Sequence, residues 1–183
     1  MHVIDYVVLA GWIAFWVYWL AAALGAKSST HWHPVHAVGS RVVVVVVVLA
    51  LVRAGVFKNA GSVSDPVVQG IGLTLFLAGL ALAVWARVCL GRNWGQPMSE
   101  RADPELVTTG PYRRVRHPIY SGIILGLFGT MLAVSWYWAV AVVAAAGFFV
   151  YSALVEERIM ARRFPDTYPQ YKRRTKMLIP FVV

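Results

Sequence analysis

The chain has 183 residues, of which 59% are hydrophobic and only 14% charged, and its mean hydropathy is +0.64. Soluble domains carry roughly 25% charged residues, so this composition excludes an ordinary soluble domain and indicates an integral membrane protein. The net charge of +9 does not indicate nucleic-acid binding, because the basic residues cluster beside apolar segments, where anionic lipid headgroups attract them. The single cysteine, Cys89, excludes an intrachain disulfide and a cysteine zinc site.

Two membrane spans are predicted in the N-terminal part of the chain, at residues 5–26 and 40–57. The first is long enough to cross a hydrocarbon core of about 30 Å, and with no basic leader or cleavage site we expect a retained span. The second contains an unbroken valine run with strand propensity, but an isolated strand in lipid would leave its backbone unpaired, so a helix is predicted. The tryptophans of the first span recur at helical spacing and are predicted to face lipid or the interface: Trp12, Trp16 and Trp19.

A polar connector joins these two spans and contains His31, His33 and His36. Three histidines so close together suggest a metal site. No carboxylate or cysteine accompanies them, however, and Pro34 interrupts the helical spacing, so a loop at the level of the lipid headgroups is favoured. No metal site is predicted in this chain.

The third span is predicted at residues 66–90, where Gly70, Gly72 and Gly79 would let a neighbouring helix pack closely. The run Gly70-Ile71-Gly72 would alternatively let a cofactor approach the backbone, but helix packing is favoured. After a long polar segment, the apolar run 119–131 is too short to cross the bilayer alone. Residues 135–155 follow at once, so these two runs are predicted to form a tight helical hairpin. The predicted fold class is therefore all-α, a polytopic membrane bundle of about five transmembrane helices.

Charge placement predicts the topology of this bundle. With five spans, the first connector, the long loop and the C-terminal tail share one side of the membrane, and together they hold most of the Lys and Arg residues. The positive-inside rule then places the N-terminus outside and the C-terminus in the cytoplasm, as in a bacterial inner-membrane protein.

The stretch at residues 106–122 departs from the apolar background. Gly110-Pro111 predicts a turn, and Pro118 suits the first turn of a helix because it has no amide hydrogen. A helix N-terminus offers unpaired N–H groups and a partial positive charge, so this junction suits an anionic or carboxylate-bearing ligand. The cationic, aromatic and imidazole side chains gathered there are Tyr112, Arg113, Arg114, Arg116, His117 and Tyr120.

Two adjacent acids, Glu156 and Glu157, end the last apolar helix, and basic residues follow them. One interpretation is a solvated helix exit with Glu–Arg pairs. The other is that one acid points back to meet the basic stretch at 106–122. Both interpretations stay open at the level of sequence.

These residues carry a family resemblance. The run from Gly110 to Gly122, GPYRRVRHPIYSG, resembles the signature of the isoprenylcysteine carboxyl methyltransferase family. The segment Leu90-Gly-Arg-Asn-Trp94 is similar to bacterial members, so the resemblance covers roughly the C-terminal half of the chain. A second block resembles the same family through Glu156, Glu157, Phe164, Tyr168, Tyr171, Ile179 and Pro180.

The resemblance implies an integral membrane enzyme that transfers a methyl group from its cofactor, S-adenosylmethionine, to a lipophilic acceptor. The cofactor would lie in a pocket formed by the later spans and the connector, with Arg116 near the reacting end as the catalytic residue. One domain is expected over residues 1–183, with N-terminal spans at 5–57 and a cofactor-binding core at 66–183. The cofactor-binding residues that the resemblance implies are Tyr112, His117, Pro118, Tyr120, Glu156 and Glu157.

Two departures from the family pattern stand out. Pro165 replaces a glycine that is common in the tail, which alters a turn. The segment 151–153, Tyr-Ser-Ala, lacks the arginine that eukaryotic prenylcysteine-methylating members carry nearby. A second cation of this kind would be expected to help bind a carboxylate acceptor. The acceptor is therefore left open between a prenylcysteine-like carboxylate and a thiol.

Two other function classes stay open. A membrane reductase of the sterol or steroid type, which uses NADPH, has a similar helical shape, but the paired acids and the tyrosine-containing tail favour the methyltransferase. A non-enzymatic bundle predicts charges along a pathway inside spans, whereas Arg41, Arg53 and Arg87 lie near span ends, where we expect their side chains to snorkel. The expected partners are a lipophilic small-molecule or lipid acceptor and membrane lipids, with no nucleic acid.

Overall fold

The computed structural model describes residues 3–23, 29–31, 53, 61–94, 100–101 and 105–179. The predicted span 40–57 lies outside the described residues apart from Arg53, as do His33, His36 and Arg41. In the described part, two short strands, β1 (Ser29–His31) and β2 (Glu100–Arg101), pair antiparallel. The α-helices in the same ranges are α1 (Val3–Ala23), α2 (Pro66–Leu90), α3 (Pro118–Ala133), α4 (Ala139–Arg163) and α5 (Tyr168–Arg174).

Three helical segments of the described chain are long and apolar enough to cross a membrane: Val3–Ala22, Pro66–Leu90 and Trp136–Arg163. Helix α3 is apolar but only 16 residues long, or about 24 Å at 1.5 Å per residue, short of a bilayer core. The predicted all-α membrane fold is confirmed. The predicted short run at 119–131 is also confirmed, with one residue more at its start and two at its end.

Helix α2 begins and ends where its local sequence dictates. The Asp65 carboxylate accepts hydrogen bonds from the amides of Val67 (2.8 Å) and Val68 (3.2 Å), and Pro66 occupies the first helical turn. This cap satisfies amides that the helix leaves unpaired at its start. The helix ends at Gly91, whose φ of 54° favours glycine.

Helices α2 and α3 pack along a glycine seam, the line of close backbone contact formed by small residues of both helices. A Cβ atom on Gly79 would lie 2.4 Å from the Gly126 amide nitrogen, and one on Gly72 would lie 2.4 Å from the Ala133 amide nitrogen. Backbones this close exclude any side chain, so the predicted close packing is confirmed at Gly72 and Gly79. It is wrong at Gly70, where a Cβ atom would meet nothing within 4 Å. Thr130 lies in this seam and is fully buried.

The tryptophans of α1 divide between two environments. Trp16 is 50% exposed, as predicted. Trp12 instead donates a hydrogen bond from Nε1 to Thr130 Oγ1 (3.1 Å), and Trp19 packs edge-on against Trp94 at 5.7 Å between ring centroids. The predicted lipid-facing position is therefore wrong for these two, whose rings pack against protein. An indole N–H at membrane depth needs an acceptor, and α3 supplies one.

A tight turn links α3 to α4, as the hairpin interpretation predicts. Residues Trp136–Trp138 form a single 3-10 turn, and the Ser135 hydroxyl accepts from the Tyr137 amide at 3.4 Å. The segment before α2 pairs with this tip, because the Trp136 amide donates to Gly61 O and the Val63 amide donates to Val134 O, both at 3.1 Å. These bonds hold the ends of α2, α3 and α4 together.

Candidate active site

The motif at residues 110–122 begins with a turn that leads directly into α3. Residues Gly110–Arg113 form a 3-10 turn, in which Gly110 has a φ of 59°. A Cβ atom at Gly110 would lie 2.6 Å from Cys89 Sγ, so both its conformation and its contact require glycine. Pro118 then begins α3, as predicted.

The C-terminal tail pairs with this turn through the backbone. The Arg116 amide donates to Lys176 O at 2.8 Å, the His117 amide donates to Met177 O at 3.1 Å, and the Lys176 amide donates to Arg114 O at 3.0 Å. The Tyr171 hydroxyl adds a hydrogen bond to Tyr112 O at 2.7 Å. The two sequence blocks that carry the family resemblance are therefore one structural unit.

The turn at residues 110–117, the end of α4 and the C-terminal tail meet at one place, which we call the junction. Glu157 is the centre of a buried ion cluster there. Its side chain is 5% exposed, and its carboxylate accepts from Arg116 Nε and pairs with Lys172 Nζ, both at 2.6 Å. Arg116 is also held by the tail, because its Nη1 donates to Thr175 O and to Lys172 O. One carboxylate thus ties α4, the motif and the tail together.

Glu156 lies in a different environment from its neighbour. Its side chain is 25% exposed, its Oε1 accepts from the Tyr120 hydroxyl, and its Oε2 lies 3.4 Å from His117 Nδ1. His117 stacks on Tyr120 with the two rings nearly parallel, and Tyr120 stacks on Phe149 at 4.5 Å. Both acids therefore meet the motif, which settles the two interpretations of the pair in favour of the second.

His117 has one satisfied nitrogen and one that is not. Its Nε2 is buried without a hydrogen-bond partner and lies 3.8 Å from Glu157 Oε1, beyond hydrogen-bonding distance. Burial alone would lower the pKa of His117, but the carboxylates of Glu156 and Glu157 outweigh it and raise that pKa above 6.5. The imidazolium form, with both nitrogens as donors, is favoured here.

The tyrosines around the motif stay protonated. Burial raises the pKa of Tyr112, and it raises the pKa of Tyr171 to about 12. Both rings therefore act as neutral groups at physiological pH. Arg113 and Arg114, by contrast, are exposed on the outside of the same turn.

The structure places every predicted site residue at this junction. Arg116 and Glu157 form the buried cluster, whereas His117, Tyr120 and Glu156 form the adjacent group that is more open. The remaining two, Tyr112 and Pro118, are buried beneath them. Among the described residues, no three His, Cys, Asp or Glu side chains are arranged to hold a metal ion.

Arg87 is a further residue for which the sequence-based interpretation is wrong. Arg87, expected to snorkel, is only 4% exposed and donates from Nη1 to Gly91 O (2.7 Å) and from Nη2 to Ala22 O (2.6 Å). Its guanidinium lies over the Trp94 ring, 4.6 Å from the centroid. The reason is that the chain turns back at Gly91 and covers the end of α2. The aromatic residue seven positions later was the available signal.

Comparisons with known proteins identify relatives of this chain. The model of the phospholipid methyltransferase family matches residues 68–167. The cobalt-zinc-cadmium resistance protein CzcN of Cupriavidus metallidurans is 34% identical over 148 residues, which cover 79% of this chain and 64% of that protein. The chain thus spans less than two thirds of that relative's length.

Two further relatives have names that state a methyl-transfer reaction. Methanethiol S-methyltransferase 1 of Bradyrhizobium diazoefficiens is 39% identical over 82 residues, which cover 45% of this chain and 28% of that one. Protein-S-isoprenylcysteine O-methyltransferase B of Arabidopsis thaliana is 30% identical over 121 residues, which cover 63% of this chain and 60% of that one. The resemblance drawn from the motif is confirmed, and the chain belongs to the phospholipid methyltransferase family, among relatives of isoprenylcysteine methyltransferase type.

Proposed function

We propose that this chain is an integral membrane methyltransferase that moves a methyl group from S-adenosylmethionine to a lipophilic acceptor. The observation that carries the proposal is the difference between the two adjacent acids. Glu157 is enclosed by Arg116 and Lys172, whereas Glu156 is five times more exposed and lies beside His117 and Tyr120. A site of this kind offers an accessible carboxylate next to a buried imidazole.

The donor set fits the cofactor's amino-acid end. S-adenosylmethionine carries an ammonium group, a carboxylate and a sulfonium. The Glu156 carboxylate would receive the ammonium, and the buried Nε2 of His117, which has no partner in the protein, would donate to the carboxylate. Hydrogen bonds between such charged groups are roughly twice as strong as neutral ones. Tyr112 and Pro118 would form the floor of this pocket, with Tyr120 holding Glu156.

Arg116 is proposed to work through its partners. Its Nε and Nη1 already bond to Glu157 and to the tail carbonyls, so its planar guanidinium fixes the geometry of the junction. The resemblance implies a catalytic place near the reacting end, and the contacts support a positioning role there. Glu157 serves in the same way, as the anchor that sets Glu156 and His117.

Methyl transfer requires few further groups from the chain. The cofactor supplies an activated methyl group, and the transfer is an in-line displacement in which alignment and removal of water give most of the acceleration. A thiolate or carboxylate acceptor needs no dedicated base. The relatives named for methanethiol and for prenylcysteine support these two acceptor classes for this chain.

The exposed basic residues support a proposal for the orientation of the chain in the membrane. Within the described segment 105–179, nine exposed Lys and Arg side chains surround the junction, in contrast to two exposed acids. We propose that this end faces the cytoplasm and its anionic headgroups, with the N-terminus on the other side, in a bacterial inner membrane. Reporter fusions at Asn59 and at the C-terminus should fall on opposite sides, and the same side for both would refute the five-span topology.

Cofactor binding tests the proposal directly. Calorimetric titration of the purified protein with S-adenosylmethionine should show binding, and Glu156→Gln should weaken it about tenfold or more, because one charged hydrogen bond is lost (about 1.4 kcal/mol). Arg113→Gln, at an exposed position outside the site, is the matched control and should keep the wild-type affinity.

The competing outcomes are distinct. Wild-type affinity in Glu156→Gln, in Glu157→Gln and in the double variant would refute the site. A melting temperature raised by NADPH but not by S-adenosylmethionine would favour the reductase alternative over a methyltransferase.

A further inference from the structure

A second polar group lies outside the junction, at the end of α2. The Arg87 guanidinium is buried, and two of its nitrogens bond to backbone carbonyls of Gly91 and Ala22. Its third nitrogen, Nε, is buried with no hydrogen-bond partner. Buried polar groups in proteins are almost always paired, so an unmatched donor of this kind calls for an explanation.

Among the described residues, the charge of Arg87 is also unmatched. In the described ranges of the chain, no carboxylate lies within 4.0 Å of it, whereas the comparable Arg116 is paired with Glu157. Arginine cannot lose its proton in a protein, so neutralising itself is not an alternative. Carbonyl dipoles and the Trp94 ring stabilise the cation in part, but a buried charge without a counterion is unfavourable.

An unmatched acceptor accompanies the unmatched donor. Asn93 donates from Nδ2 to Glu105 Oε2 at 3.3 Å, but its Oδ1 is buried with no partner. Asn93 adjoins Trp94, whose ring packs beneath the Arg87 guanidinium and against Trp19. The end of α2 thus offers a cation, a hydrogen-bond acceptor and an aromatic wall within one short segment.

This group is next to exposed residues of α2 and next to the buried cluster that contains Tyr112 and Tyr120. On α2, the neighbouring side chains of Trp85 and Val88 are 55% and 63% exposed, so the helix faces outward on that side. Trp94 packs against the same buried cluster as Tyr112 and Tyr120, and Tyr120 bonds to Glu156. A molecule held at Arg87 would therefore have its apolar part near lipid and its polar head near the proposed cofactor site.

We propose that Arg87, with Trp94, binds the anionic head of the methyl acceptor, a thiolate or a carboxylate. This inference rests on the proposed function. Such an anion would accept from Arg87 Nε and compensate its charge.

The transfer balances in atoms and charge. The acceptor's sulfur or oxygen lone pair forms the new bond to the methyl carbon, while the bond from that carbon to the sulfonium sulfur breaks and its electron pair stays on the sulfur. A cation and an anion become two neutral products, and no proton moves. The methylated acceptor has lost the charge that Arg87 binds, which favours its release.

The test uses the full chain in lipid nanodiscs and two probes, thiophenol for the thiolate class and N-acetyl-S-farnesylcysteine for the carboxylate class. Calorimetry measures the affinity of each probe, and separate titrations measure that of S-adenosylmethionine. Arg87→Gln should weaken the preferred probe tenfold or more and leave cofactor affinity within twofold. The affinity of Arg87→Lys for the preferred probe should lie between those of the wild type and Arg87→Gln. Arg114→Gln, an exposed control, should bind the probe as the wild type does.

A measurement on the wild-type protein keeps the inference falsifiable where Arg87→Gln does not fold. Thiocyanate, a small soft anion, should compete with the preferred probe and leave cofactor binding unchanged. Probe affinity that is unaffected by Arg87→Gln and by thiocyanate would overturn the inference, and so would a parallel loss of cofactor affinity. The proposed function fails on a different result, the absence of cofactor binding to the wild type.

Discussion

The glycine seam and the charged junction hold the same helix, α3, by opposite means. Along the seam, backbones of α2 and α3 approach so closely that a Cβ on Gly129 would lie 2.2 Å from the Phe76 amide nitrogen. At the junction, the start of α3 is fixed by Glu157 and its two cationic partners. The seam depends on shape and is indifferent to pH and salt, whereas the junction depends on charge.

This difference distinguishes a region that holds the helices together, the seam, from the region proposed to carry the chemistry, the junction. The seam holds the helices together by shape, and its described residues are uncharged glycines, an alanine and Thr130, whose hydroxyl bonds to Trp12. The junction contains buried charges, which are unfavourable for folding unless each is paired, and perturbed groups of this kind cluster at functional sites, which is why we propose the ligand site there. Variants that affect one region and spare the other can test this separation.

The largest effect is expected from Arg116→Ala, which breaks the junction. It leaves the buried Glu157 carboxylate with Lys172 alone and should lower the free energy of unfolding by about 3 kcal/mol. Thermal unfolding in detergent measures it. Arg113→Ala, at an exposed position in the same turn, should change stability by less than about 0.5 kcal/mol, and equal losses in both variants would contradict the assignment.

A single added methyl group in the seam should lower the stability of the fold. Gly129→Ala pushes a Cβ into the backbone of α2 and should lower the free energy of unfolding by about 1–3 kcal/mol. Gly147→Ala is the matched control, because a Cβ there meets nothing within 4 Å and alanine favours the helix by about 0.5–1 kcal/mol. Similar stability changes in the two variants would mean that the seam is not close-packed.

The stability that the junction contributes should depend on pH through His117, whereas that of the glycine seam should not. The pKa of His117 in the folded chain is raised above 6.5, so the stability from its pairing is fully present below pH 6.5 and is lost as pH rises through the folded-state pKa. The melting temperature should therefore fall above pH 6.5 in the wild type and less in His117→Gln. Parallel pH profiles for these two proteins would remove His117 from the ionised cluster.

The smallest effect is expected at the rim of the junction. The Lys172 side chain is 53% exposed, so its pair with Glu157 is screened by solvent and Lys172→Gln should change stability by less than about 1 kcal/mol. Raising the salt concentration should reduce the effect further. A loss as large as that of Arg116→Ala would show that both cations hold Glu157 equally.

The sequence predicted the elements of this fold that depend on local pattern. The start of α3 at Pro118 and the hairpin turn at Trp136–Trp138 follow from short-range signals that survive in any tertiary context. The meeting of Glu156 and Glu157 with the motif was one of two open interpretations. The choice between the two interpretations depends on the tail, which pairs with residues 114–117 through the backbone. Such long-range pairing leaves no periodic signal in the sequence.

The misinterpreted residues share one physical cause. Trp12, Trp19 and Arg87 were each placed by their residue type, since tryptophan favours the interface and arginine near a span end favours water. In the structure each contacts a partner far along the chain: Thr130 for Trp12, Trp94 for Trp19 and Ala22 for Arg87. Preferences of single residues cannot anticipate partners that only the assembled bundle brings close.

Transfer of a labelled methyl group tests the central claim most directly. The purified protein, incubated with lipid extract and S-adenosylmethionine labelled in its methyl group, should move the label into the organic phase. The account predicts that Glu156→Gln loses most of this transfer, whereas Arg113→Gln keeps it. Label that stays with the cofactor in the folded wild type, or transfer that Glu156→Gln leaves unchanged, would contradict the account.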